Sequence, residues 1–189
     1  MLSEKMEKAL NAQINAEFWS AYLYLSMSVD FSAKGMKGIA NWFAVQYQEE
    51  QAHAQIFVNY VLARGGKVTL APIEAVPTTW DSPLAAFEAT LAHEQKVTEL
   101  IDNLCHLAEA EKDFATTNKL VWFVNEQVEE EEAAKEIIDS LKMVEGSKMG
   151  LYMIDKELAA RTYVAPAELT ALGCDIFSDS ETGEVWSGV

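Results

Sequence analysis

Four long stretches of this chain repeat apolar residues at the helical period, and each repeat is broken near its middle by a carboxylate. Written as a and d positions, the first seam is Leu10, Ile14, Glu17, Ala21, Tyr24, Ser28 and Phe31. The second is Ile39, Phe43, Gln46, Glu50, His53, Phe57 and Tyr60. The third is Leu84, Phe87, Leu91, Glu94, Thr98, Ile101 and Cys105, and the fourth is Leu120, Phe123, Gln127, Glu130, Ala134, Ile137 and Leu141. An amphipathic helix must bury its apolar stripe against another element. Four stripes with acids at matching heights can be buried together only where something compensates the acids. An unpaired carboxylate is very costly in a low-dielectric core, and several close together repel one another.

Turn chemistry separates the stretches. The first helix is expected over about Ser3–Lys34, stopped by Gly35, and the second over Lys37–Arg64, stopped by Gly65-Gly66. Ser82-Pro83 supplies an N-cap and a proline at the first helical position for a third helix reaching Glu111. A fourth is expected over Phe114–Glu145, stopped by Gly146, and a short fifth over Ser147–Ala160. Short turns make helices one and two, and three and four, antiparallel hairpins. The link Lys67–Asp81, with Pro72 and Pro77, is long enough to run the length of a bundle, which makes helices two and three parallel. The expected fold is an all-α four-helix bundle with one long crossover and a short fifth C-terminal helix. Residues 1–163 form that unit, and residues 164–189 read as an irregular C-terminal extension with Pro166, Gly173, Gly183 and Gly188.

Two divalent cations would neutralise the four charges of Glu17, Glu50, Glu94 and Glu130. Glu50 and His53, three apart on a helix, face the same way and can share one ion. Oxygen-rich sites with an imidazole suit iron or manganese. Di-iron carboxylate bundles take one Glu from each of two helices and a Glu-x-x-His from each of the other two. Here Glu17 and Glu94 are the single acids and Glu50/His53 the first pair. The second pair is altered to Gln127 and Glu130, so one metal should be held less firmly, which suits a site that binds ferrous ions, oxidises them and passes them on.

The chain has 189 residues, half of them apolar, and a net charge of −16. That balance argues against nucleic-acid binding, which needs a basic footprint, and suits a protein that concentrates cations. No apolar run approaches a membrane span and no signal peptide is expected. Cys105 and Cys174 show neither metal-type nor disulfide spacing, so a cytoplasmic, reducing location is the default.

These residues resemble the ferritins, most closely the bacterial non-haem ferritins, over about Met1 to Tyr163. The resemblance rests on Asn15-Ala16-Glu17, Tyr24, Gln48-Glu49-Glu50-Gln51-Ala52-His53, Glu94, the run Val124 to Glu131, and Gly150 to Leu158. It implies a ferritin-like bundle, a shell of twenty-four subunits, and oxidation of Fe(II) by dioxygen or hydrogen peroxide with storage of Fe(III) as mineral. It implies one iron site from Glu17, Glu50 and His53, and a second from Glu50 as bridge, Glu94 and Glu130, with Gln127 nearby as ligand or hydrogen-bond donor. A third iron site would use Glu49, Glu126 and Glu129 and share Glu130. Tyr24 matches the family's tyrosine beside the centre, an electron donor during oxygen reduction. Bacterioferritins place a haem-ligating methionine where this chain has Gln51, and a second Glu-x-x-His where it has Gln127 and Glu130, so haem is not expected.

Bland readings stand beside these. Glu49, Glu126 and Glu129 could be a solvated acidic face, as Glu131 and Glu132 are expected to be. Tyr24 could be a core tyrosine bonded to a buried carboxylate, and His93 and His106 structural or exposed. A di-iron oxygenase with a substrate pocket, a metal-buffering bundle and a DNA-protecting shell are the rival functions. Asp179 to Gly183 reads as a turn without an assigned function.

Overall fold

The structure, a computed structural model, describes residues 1–169. Its elements are α1 (Glu4–Ala33), α2 (Lys37–Ala63), α3 (Pro83–Glu111), α4 (Phe114–Met143) and α5 (Lys148–Leu158), followed by a 3-10 turn, η1 (Ala167–Leu169). Each expected helix forms, shorter than expected by a residue or two at several ends. The Ser3, Ser82, Asp113 and Ser147 side chains cap α1, α3, α4 and α5, accepting from the backbone N–H three residues on. The tight α1–α2 turn needs the left-handed backbone of Gly35, at φ +78°.

Residues 67 to 80 run along α1 as an extended strap rather than a strand. Asn11 donates to the Lys67 carbonyl and accepts from the Thr69 N–H, and Asn15 donates to the Ala71 and Pro72 carbonyls. Ser26 donates to the Pro77 carbonyl, and Asp30 accepts from the Trp80 N–H. The strap thus travels from the start of α1 to its end, which makes α3 parallel to α2. α5 packs against the start of α2, where Asp155 Oδ1 accepts from the N–H groups of Gly38 and Ile39 at 2.8 and 2.9 Å. A Cβ on Gly38 would lie 1.5 Å from the Asp155 carbonyl oxygen, so only glycine fits there.

The core is two apolar clusters. One holds Met6, Leu10, Ile14, Phe57, Ile101 and Phe123; the other holds Phe31, Ile39, Phe43, Phe87, Ile138 and Leu141. Between them lies a buried polar waist containing Glu17, Gln46, Glu50, His53, Glu94 and Gln127. The expected seams hold best at this waist. Away from it, α3 turns Thr90, Val97, Leu104 and Ala108 inward, leaving Leu91, Thr98 and Cys105 half-buried. Likewise Met27 replaces Ser28 on α1, and Ile138 replaces Ile137 on α4. A strict seven-residue repeat drifts about 20° per heptad on a straight helix, which accounts for the slippage. Of the extension expected at 164–189, the turn η1 lies against α2, where Asn59 donates to the Leu169 carbonyl at 3.2 Å. Residues 170–189, with Cys174 and the turn expected at Asp179 to Gly183, lie outside the described residues.

Candidate metal centre

Four helices each deliver one acid to the waist. Glu17, Glu50 and His53 bring ligand atoms within 4.8 Å of one another, and so do Glu50, Glu94 and Glu130. Glu50 belongs to both groups. These are the two sets that the resemblance noted from the sequence implies as adjacent sites.

The hydrogen bonds sort the carboxylates. Glu17 has one oxygen tied by the Gln13 amide at 2.8 Å, and its Oε2 has no partner among the described residues. Glu130 has one oxygen tied by the Gln46 amide at 2.9 Å, and its Oε2 likewise has none among them. Glu94 accepts from the Tyr24 hydroxyl on Oε1 and from Gln127 at 3.3 Å on Oε2. Glu50 alone has both oxygens buried without a hydrogen-bond partner among the described residues. Such atoms need a proton or a cation. The outer acids are therefore each steered by a neutral donor, while the central one presents two bare oxygens, as a bridge between two ions requires.

Burial pushes the carboxyls of Glu17, Glu50 and Glu130 above the ordinary carboxylate range, and the neighbouring acids add to this at Glu50 and Glu130. For Glu17 the neighbouring His53 opposes the rise. Burial likewise carries the Tyr24 phenol well above its usual value, so it keeps its proton and donates to Glu94.

Gln127 donates to the Glu94 backbone carbonyl at 3.2 Å as well as to its side chain, and to Thr98 at 3.4 Å. Acceptors on this side require the amide nitrogen to face them, so Gln127 orients Glu94. The acids assigned to a third site are less gathered. Glu126 lies 4.0 Å from His53 Nε2 and groups with His53 and Glu130. Glu129 is exposed, and Glu49 is ion-paired to Arg161 at 2.6 Å. His53 thus faces Glu50 with Nδ1, at 3.5 Å, and Glu126 with Nε2. Trp122 stands edge-on to the His53 ring at 5.5 Å and fixes its plane.

His93 is half-buried, bonded to Ser20 at 2.8 Å and set edge-on to Tyr24, and burial lowers its pKa. It is structural, and His106 is exposed. Glu131 is not simply a solvated acid: it accepts from Thr98 at 2.6 Å. Sequence reasoning gave no role to Gln13, Gln46 or Arg161. Gln13 precedes Glu17 by four residues, the helical spacing at which side chains meet, and that signal could have found it; Gln46 instead bonds Glu130 on another helix, a link its place in the α2 seam does not specify. Arg161 follows α5, and no local pattern points to it.

The sequence model of the ferritin-like domain matches residues 7–144. This chain belongs to the ferritin family. It is 45% identical over 161 residues to the bacterial non-heme ferritin of Bacteroides fragilis (strain 638R), covering 85% of this chain and all of that one. It is 37% identical over 163 residues to that of Staphylococcus aureus (strain USA300), covering 86% and 98%. A solved open pore ferritin from the hyperthermophilic archaeon Archaeoglobus fulgidus superposes with a TM-score of 0.85 at 51% identity, covering 86% of this chain and all of that one. A closed form of the Archaeoglobus fulgidus ferritin, engineered by mutagenesis, gives 0.86 at 50%, covering 87% and 100%. The ferritin fold expected from the seams is thus established. No helix among the described residues is long and apolar enough to cross a membrane.

Proposed function

We propose that this ferritin is a cytoplasmic iron-storage protein that oxidises Fe(II) at a two-iron centre inside each subunit and stores Fe(III) as mineral within a shell of twenty-four subunits. The observation that carries this reading is Glu50, with two buried oxygens that lack a hydrogen-bond partner among the described residues, shared by two ligand groups. In this reading one Fe(II) binds Glu17, Glu50 and His53, and the other binds Glu50, Glu94 and Glu130. Burial favours the protonated forms of Glu17, Glu50 and Glu130, so cations compete with protons for these carboxyls. Two adjacent ferrous ions release two electrons together, the number that takes dioxygen to peroxide or hydrogen peroxide to water. Gln13, Gln46 and Gln127 keep the outer carboxylates aimed inward as charge changes. Tyr24, bonded to Glu94, is the side chain placed to supply a further electron and its proton.

The α4 half has an amide and an acid where a symmetric centre has an acid and an imidazole. Its ion is held by carboxylates alone, which suits transit of ferric product toward storage. Glu126, with Glu49 and Glu129 on the same rim, gives the product an acidic path out of the centre. Support for a shell comes from the solved ferritins that this chain matches along their whole length.

Aerobic addition of Fe(II) to the metal-free protein, followed by ferric absorbance, tests the reading. Glu50→Ala removes a ligand of both ions and is expected to slow the fast phase more than ~100-fold, beyond the 10–100-fold typical of outer partners. Equal rates in the two proteins contradict the centre. Size-exclusion chromatography separates the shell from an oxygenase, which would elute as a monomer or small oligomer.

A further inference from the structure

Arg161 lies beyond α5, outside the four bundle helices, yet its guanidinium reaches the rim of the waist. Nη1 donates to Gln46 Oε1 at 2.9 Å and to the Trp42 carbonyl at 3.2 Å. Nη2 donates to Glu49 at 2.6 Å, and the group lies 4.6 Å over the Trp42 ring. Its backbone is fixed as well, because Asn41 on α2 donates to the Arg161 and Leu158 carbonyls at 2.9 and 3.2 Å.

Gln46 stands between this guanidinium and Glu130, to which its Nε2 donates at 2.9 Å. Arginine can only donate, and a carboxylate ionised against a bound cation can only accept. An amide between the two satisfies both in one orientation alone, with its oxygen toward Arg161 and its nitrogen toward Glu130. Without Arg161 the amide is free to turn its oxygen toward Glu130, where it repels the carboxylate and releases it.

We propose that Arg161 is a positioning residue of the iron centre, which locks the Gln46 amide and so holds Glu130 with its unpartnered oxygen aimed at the second ion. The same guanidinium occupies Glu49, so a cation drawn to Glu49 must displace Arg161 and thereby loosen Glu130. The chain after the fifth helix is thus coupled to the ligands of the centre. This inference rests on the two-iron reading above, and its test keeps the two apart.

The assembled full-length protein, metal-free and anaerobic, is titrated with Co(II), and the d–d absorption of bound cobalt is followed. Arg161→Gln is expected to weaken one of the two sites by ~10-fold, the scale of an outer-partner loss, and to leave the other unchanged. Gln46→Leu is expected to produce the same loss. The double variant is expected to be no worse than either single one, because both remove one hydrogen-bonded relay. Arg161 is 27% exposed in its side chain, so Arg161→Gln is expected to assemble. Arg161→Lys, which keeps the charge but lacks the fork that grips Gln46 and Glu49 together, gives the same reading should it not. Two unchanged sites in Arg161→Gln, or losses that add in the double variant, overturn the positioning role. Two unchanged sites in Glu50→Ala overturn the centre itself.

Discussion

The apolar ends of the bundle and its polar waist are built from the same four helices and answer to opposite demands. At the ends, Phe31, Phe43 and Phe87 on one side and Phe57 and Phe123 on the other are fully or almost fully buried and stack against one another. There, removing apolar surface from water stabilises the fold. At the waist, several carboxylates share one buried layer and four of their oxygens have no hydrogen-bond partner among the described residues. There the metal-free fold is strained electrostatically, and the ends supply the stability that tolerates it. A site prepared for cations is therefore a weak point until cations arrive, the familiar conflict between stability and function.

Alanine substitutions in the two regions should act in opposite directions. The largest effect is expected at an end: Phe31→Ala leaves a cavity and should lower the unfolding free energy of the metal-free protein by about 3–5 kcal/mol, read by urea denaturation. At the waist, Glu50→Ala should raise the stability of the metal-free protein by about 1–3 kcal/mol, because it deletes two buried acceptors that lack donors. A loss of stability there would show that the waist is an ordinary polar layer. Saturating Zn(II) should stabilise the wild type by about 2.7 kcal/mol at one hundred times its dissociation constant, and Glu50→Ala much less.

pH sharpens the same contrast. Glu17, Glu50 and Glu130 have folded pKa values above their unfolded ones. In the window from the ordinary carboxylate value up to those raised values, the native state binds more protons than the unfolded chain. Stability of the metal-free protein should therefore fall as pH rises through that window. Urea midpoints at pH 5 and pH 7 check this, and Glu17→Gln/Glu50→Gln/Glu130→Gln should flatten the slope. The smallest effect belongs to neither region: Ser82→Ala removes the α3 cap and should lose about 1 kcal/mol with no change in metal binding.

Much of this was legible beforehand because burial and charge conflict so plainly in the seams. A Glu at the middle of each of four apolar repeats has few explanations, and Gly35, Ser82-Pro83 and Gly146 placed the helix ends almost to the residue. The path of the crossover was legible as a length, but its attachment to Asn11, Asn15 and Asp30 was not, since polar residues on an outer face look solvated in sequence. Strict heptads misplaced Thr90 and Val97 because straight helices drift from a seven-residue repeat. Arg161 was invisible for another reason. Its link to Gln46 and Glu49 spans more than one hundred positions, and only the docking of α5 on α2 brings them together.

The most direct test of the two-iron centre is anomalous diffraction at the iron edge from crystals soaked anaerobically in Fe(II). Two peaks on either side of the Glu50 carboxylate are expected, one against Glu17 and His53 and one against Glu94 and Glu130. Iron bound only on the acidic surface, or a single peak at the waist that Glu50 does not touch, would contradict it.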